Sequence, residues 1–201
     1  MRKLIAILVL CPLFSQGQRK LGIKAGANFA NVTNASSINS ENSTGFMIGA
    51  FLAPESKTIM SSSTELIFSR QGYSYRTNTN TGKVNLNYIL LEQMMGVNIT
   101  KFVKLQFGGM TGFLINAKAD SSSTQGSTTS TFGMMDYMNK FDYGIATGIE
   151  IFPYKGLMIG TRVNLSMAKV FNGTENSSSP SIMPGIDAKS NVLQIYAGYR
   201  F

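Results

Sequence analysis

Apolar and polar residues alternate with a period of two along most of this chain, in eight runs separated by breaks. In the first, Leu21, Ile23, Ala25, Ala27 and Phe29 alternate with Lys20, Gly22, Lys24, Gly26 and Asn28. The second sets Phe46, Ile48, Ala50 and Leu52 against Gly45, Met47, Gly49 and Phe51. The third, about Ile59 to Tyr75, has Thr64, Leu66 and Phe68 opposite Glu65, Ile67 and Ser69. In the fourth, Ile89, Leu91, Met95 and Val97 share a face that Gln93 interrupts. The fifth is the cleanest: Val103, Leu105, Phe107, Gly109, Thr111, Phe113, Ile115 and Ala117 oppose Lys104, Gln106, Gly108, Met110, Gly112, Leu114 and Asn116. The sixth runs from Phe141 to Ile151 and the seventh from Leu157 to Met167. The eighth puts Leu193, Ile195, Ala197, Tyr199 and Phe201 on one face and Gln194, Tyr196, Gly198 and Arg200 on the other. Period two predicts strands, and no helical periodicity of any length competes with it.

The breaks alternate too. Asn31–Ser43, Arg76–Gly82, Lys118–Asn139 and Asn172–Ala188 are rich in Ser, Thr and Asn, whereas Pro54–Thr58, Asn98–Phe102 and Pro153–Lys155 are short. Long polar loops at one end and tight turns at the other suit an outer-membrane barrel, with the turns on the periplasmic side. The sequence therefore predicts an all-β fold: an eight-stranded, antiparallel, up-and-down transmembrane β-barrel closed by its first and last strands. Hydrocarbon offers no partner to a backbone N–H or C=O, so every edge must be paired. The final strand, with Tyr199 and Phe201 at its tip, is expected to close the barrel. An eight-stranded interior is just filled by side chains, which argues against an open diffusion pore.

The N-terminus extends this picture. Met1-Arg2-Lys3 is basic, Leu4 to Leu10 is apolar, and Ser15-Gln16-Gly17 offers small residues before a cut. We read residues 1–17 as a cleaved signal peptide and 18–201 as one barrel domain. Its loss would remove the single cysteine, Cys11, and lower the formal charge from +8 to +6. No later segment approaches the roughly 18 apolar residues of a membrane helix, but a barrel strand needs only about 9–11. A mean hydropathy of +0.04 fits such strands. The remaining basic residues are scattered, which argues against a nucleic-acid partner.

Candidate chemistry is sparse. The chain has no His, which removes the usual general base and the commonest transition-metal ligand. No catalytic, cofactor or metal site is expected. Lys24, Glu65, Arg70, Glu92, Lys104, Asp142, Glu150, Arg162 and Arg200 are read as inward charges forming a structural network, because buried charges need partners. Glu150 and Arg162 flank a short turn and are expected to face each other. In the fifth connection, Asp120–Thr131 is a low-complexity Ser/Thr run. Phe132, Met134, Met135, Tyr137 and Met138 follow it as an apolar cluster, either a cap over the barrel mouth or a contact patch for a partner.

Several of these segments resemble the Bacteroidetes outer-membrane β-barrel family that includes the PorT-like proteins. They are Leu21-Gly22-Ile23-Lys24-Ala25-Gly26-Ala27-Asn28-Phe29, Glu65-Leu66-Ile67-Phe68-Ser69-Arg70-Gln71-Gly72, Leu86-Asn87-Tyr88-Ile89, Gly108 to Lys118, Phe141-Asp142-Tyr143-Gly144 and Ala197-Gly198-Tyr199-Arg200-Phe201. The fourth run departs, with Leu90 and Glu92 where members often carry Glu and Pro. The resemblance implies an outer-membrane, eight-stranded barrel whose C-terminal strand, ending on Tyr199 and Phe201, is engaged by the barrel assembly machinery, and it transfers no catalytic residues. The residue pattern leaves three functions: a non-enzymatic structural, adhesive or partner-binding barrel acting on another envelope protein through its loops; a transport or secretion accessory; or a soluble, lipocalin-like binder of an apolar ligand. The last requires apolar residues to face inward.

Overall fold

The structure, a computed structural model, describes residues 19–33, 39–54, 59–76, 80–123, 129–171 and 188–201. The expected signal segment and parts of the polar connections lie outside the described residues. The strands are β1 (Arg19–Thr33), β2 (Asn39–Pro54), β3 (Met60–Arg76), β4 (Asn80–Asn98), β5 (Val103–Ser123), β6 (Thr129–Gly133), β7 (Phe141–Tyr154), β8 (Leu157–Ser166) and β9 (Lys189–Arg200). They pair antiparallel in the ring β4-β3-β2-β1-β9-β8-β7-β5, which β4–β5 pairing closes. Eight strands thus form a closed barrel, and β6 is a short arm on the upper part of β5. β9 zips to β1 from Gly22↔Arg200 to Thr33↔Lys189, and the Phe201 amide donates to the Leu21 carbonyl at 2.9 Å. Both ends of the wall's backbone therefore find partners, as a lipid environment requires.

The apolar face points outward. Ile48 is 57% exposed while its neighbour Met47 is 1% exposed, and the same alternation runs through β7, β8 and β9. A soluble barrel holding an apolar ligand would need the opposite arrangement, so the lipocalin-like reading is set aside. Polar groups on the outer face are satisfied locally. Thr64 and Gln93 are direct cross-strand partners, and the Thr64 hydroxyl donates to Gln93 Oε1 at 2.7 Å. The Thr111 and Thr147 hydroxyls donate to the Leu91 and Gln106 carbonyls of neighbouring strands. Aromatic rings gather at the two rims of this wall: Phe46 beside Phe68 and Phe113 beside Phe141 towards the long connections, Tyr199 against Phe201 at the other end. Such paired girdles flank the lipid-facing band of outer-membrane barrels.

Two local features set the register. Between Tyr88↔Leu114 and Asn87↔Asn116, β5 carries one extra residue. This bulge turns Ala117 and Ala119 inward and exposes Lys118, so Ala117 does not continue the outward row of Phe113 and Ile115. An inserted residue reverses the facing of everything beyond it. At the opposite end, β7 and β8 meet through a tight turn at Lys155 and Gly156, where Gly156 has φ +82°. Pro153 sits in the irregular stretch between Ile151 and Tyr154, where a missing N–H is tolerated.

The strands also run further than period two suggested. Asp120 to Ser123 belong to β5 and pair with β4, while Thr129 to Gly133 pair back as β6. Much of the expected Ser/Thr loop is therefore ladder, because β-branched Thr suits a strand and Asp120 accepts hydrogen bonds from Thr131 and Asn85.

Candidate functional site

Inside the barrel, small residues make room for large ones. A Cβ on Gly22 would lie 2.2 Å from the Phe51 ring, and one on Gly160 would lie 2.6 Å from the Tyr196 ring. Both are direct cross-strand pairs, so the aromatic ring lies over the glycine. Tyr196 is held in this way at the centre of the lower barrel.

Around it stands a cluster of charges. Arg162, fully buried on β8, donates through Nη1 to Glu65 Oε2 at 2.6 Å and to Glu92 Oε2. Its Nη2 reaches Glu65 Oε1 at 3.1 Å and Gln106 Oε1 at 2.8 Å. Lys24 on β1 donates to Glu65 and lies 4.6 Å above the Tyr196 ring. Asn164 donates to the second oxygen of Glu92 at 2.8 Å. A second pair, Lys104 and Glu150 at 2.6 Å, lies nearer the short turns. The Tyr196 hydroxyl joins the two groups, accepting from Arg162 at 3.3 Å and donating to Glu150 at 2.9 Å.

Three cations therefore face three carboxylates, and the cluster has no net charge. Such a group is stable only with close geometry and extra hydrogen bonds, which Gln106, Asn164 and Tyr196 supply. Every carboxylate is engaged by a cation, so the arrangement suits a plug across the barrel.

Three residues of the expected inward set stand elsewhere. Arg70 is exposed on the outer wall, as it must be when Ser69 and Gln71 on either side are buried. Asp142 bonds Ser166 higher in the barrel, away from the plug. Arg200 lies at the short-turn rim, 3.5 Å from the Pro54 carbonyl. Glu150 and Arg162 also do not face each other: Glu150 lies opposite Gly160, and Arg162 opposite Gly148. The β7–β8 register sets them two positions apart along the ladder, and Tyr196 bridges the two instead. Gln106, Asn164 and Tyr196 were legible as inward by period two, but being uncharged they gave no reason to be singled out.

Above the plug, apolar side chains share the interior with a smaller polar set, Asn28, Ser69 and Gln71, linked by hydrogen bonds. Tyr73, Leu86, Tyr88, Leu90 and Leu114 fill it, and Met134 and Met138 are buried against them, with Phe171. Those two methionines cap the barrel from within and present no contact surface. Tyr137 of the Met135–Tyr137 3-10 turn is exposed, Met135 is partly buried, and the Phe132 side chain lies outside the described residues. Below the plug, a vestibule of about 620 Å³ opens among the short turns, with Lys104 and Gln106 in its inner lining and Lys101, Lys155 and Arg200 around it.

A closed eight-stranded wall with its apolar face outward agrees with sequence comparison. Residues 14–172 match a family model described as outer membrane protein beta-barrel domain. The chain belongs to this family. As a member of the outer-membrane β-barrel domain family it is an outer-membrane protein whose apolar wall faces lipid. Curated proteins yield no sequence match. Among solved structures, the chain is similar to Ail, the attachment invasion locus protein of Yersinia pestis, with 17% identity and a TM-score of 0.49, covering 91% of this chain and 99% of that one. It is also similar to Neisserial surface protein A, with 13% identity, a TM-score of 0.49 and coverage of 90% and 97%. For OprG of Pseudomonas aeruginosa the identity is 10%, the TM-score 0.42 and the coverage 92% and 98%.

Proposed function

We propose that this is a non-enzymatic barrel that acts through its long-connection end, in a structural, adhesive or partner-binding role towards another envelope component. The carrying observation is the interior. The neutral plug and the apolar cluster above it occupy successive levels of the barrel, so the described residues leave the ends as working surfaces. The extent of the strands supports the same reading. β4 and β5 run for 19 and 21 residues, about twice what a crossing needs. Their upper halves, with β6, stand beyond the aromatic rim.

In this reading residues 1–17 are removed on export. The tight turns and both termini face the periplasm, and Tyr199 and Phe201 present the strand that the assembly machinery engages. The vestibule supports a second reading, a transport or secretion accessory of the PorT-like, Bacteroidetes type, because it offers a recess at the end where a periplasmic component would dock. Planar-bilayer recording of the purified chain, with protease treatment of intact cells, separates the two. The first reading expects no steady conductance and cleavage in the long connections. Steady conductance, or cleavage confined to the short turns, would overturn it.

A further inference from the structure

The vestibule beneath the plug has a lining that sealing the barrel does not require. Its floor is Lys104 and Gln106 of β5, both buried. Gly96 on β4 makes room for them. It stands between Ser61 and Gln106 in the ladder, and a Cβ there would lie 2.7 Å from Lys104 Cδ and 2.9 Å from Ser61 Oγ. The Lys104 stem therefore crosses over Gly96, and its Nζ reaches Glu150 Oε2 at 2.6 Å and lies 5.0 Å from the centre of the Phe152 ring. An ammonium carries three N–H donors, so pairing with Glu150 leaves two of them. Gln106 is in a similar position. Its Oε1 accepts from Arg162 at 2.8 Å, and its amide nitrogen donates to no described residue.

The rim adds charge of one sign. Lys101 and Lys155 stand on two of the tight turns and Arg200 at the end of β9, and no Asp or Glu is among the described residues that line the recess. Glu150 stands behind Lys104 and is buried, with one oxygen taken by Lys104 and the other by the Tyr196 hydroxyl. The terminal carboxylate, on Phe201, is at the same end of the barrel but outside this lining. Part of the wall between rim and floor is aromatic. Phe102 and Phe152 both line it, and the Phe152 amide donates to the Phe102 carbonyl at 2.8 Å. The recess thus grades from exposed cations, past aromatic rings, to a floor of hydrogen-bond donors whose one charge is already balanced.

We infer that this vestibule binds the C-terminal carboxylate of a peptide whose last residue is apolar. Each part of the recess meets one part of such an end. The rim cations attract it, the floor donors hold its two carboxylate oxygens, and the aromatic wall takes the last side chain. Charge decides between anions. Because Glu150 balances Lys104, the floor offers hydrogen bonds without net charge, which suits a monoanion better than a doubly charged phosphate taken out of water. The volume of about 620 Å³ lies within the roughly 300–1,000 Å³ of sites that enclose small organic ligands, so the recess takes only the final residues of a longer chain. The inference rests on the second reading above in treating the short-turn end as a docking end, and it needs no conductance.

The test uses the full refolded chain in neutral detergent and a dye-labelled tripeptide that ends in phenylalanine. Binding is followed by fluorescence anisotropy beside the same peptide with an amidated C-terminus. K101Q/K155Q changes two exposed side chains of the rim. K104M/E150Q removes the floor cation together with its partner, so that no buried acid is left alone. K118Q/K140Q, also exposed, is the control at the opposite end. Retention of the heat-dependent gel shift shows that each variant is folded, and the rim variant carries the test if the floor variant does not fold. The free carboxyl is expected to bind roughly tenfold more tightly than the amide, a preference that K104M/E150Q abolishes. K101Q/K155Q should weaken binding roughly fivefold, with the control within about twofold of wild type. Equal binding of the amidated peptide, an undiminished preference in the floor variant, an unchanged rim variant or an equal loss in the control would overturn the proposal. So would displacement of the peptide by inorganic phosphate but not by acetate, which would make the recess a phosphate site. Binding is measured without a pore current, so a barrel that conducts nothing can still take the peptide and one that conducts can still refuse it.

Discussion

Arg162 is the residue on which the interior depends most. It alone reaches Glu65, Glu92, Gln106 and Tyr196, and it is fully buried. Replacing it by Met removes the shared cation and leaves Lys24 to compensate two carboxylates. The expected cost is about 3–5 kcal/mol, measured by urea unfolding in lipid vesicles. Adding E92Q to that variant, which leaves Lys24 paired with Glu65, should recover a large part of the loss; no recovery would mean that the cost came from packing. A charge swap between Glu150 and Arg162 should recover nothing, because Glu150's cation is Lys104. The sequence could not assign these partners. Period two identified Lys24, Glu65, Glu92, Lys104, Glu150 and Arg162 as one face of their strands. Which of them meet depends on stagger around a closed ring, and Arg162 lies 97 positions from Glu65 and 70 from Glu92. Arg70 is a different matter: its neighbours Ser69 and Gln71 already fixed its direction, and reading it as inward set charge above alternation.

At the scale of elements, alternation locates the strands well and their ends poorly. Runs one, six, seven and eight correspond to β1, β7, β8 and β9, and the outward set is the apolar set in each. The ends fail where polar Ser, Thr and Asn continue a ladder above the lipid, as in β4, β5 and β6. The β5 bulge was hidden because Ala117 passes for either face. It yields a sharp test. Deleting Ile115 removes the extra residue and leaves Leu114, Ala117 and Ala119 facing inward, so the protein should still fold and keep its heat-dependent gel shift. Deleting Thr111 instead turns Phe113 towards the interior and Leu114 towards lipid, and the shift should disappear. If both deletions fold equally well, facing is not what the bulge preserves.

For the whole molecule, closure is the controlling fact. The ring is completed by β9 against β1, and Phe201 adds one further backbone bond to Leu21 together with an aromatic contact to Tyr199 at the rim. Deleting Phe201 should lower recovery of folded barrel in the outer-membrane fraction. The chain that does insert should show nearly wild-type melting, because the ladder from Gly22 to Thr33 is unaffected. A large fall in melting temperature would instead make Phe201 a stability residue. Closure also bears on time. Glu65 and Glu92 are direct cross-strand partners in the β3–β4 hairpin, where like charges repel. Lys24 on β1 can serve Glu65, but the cation that both acids share stands on β8, 70 positions beyond Glu92. An early hairpin therefore carries an internal penalty until the rest of the chain is present. The same carboxylates that lock the finished barrel disfavour the β3–β4 hairpin on its own.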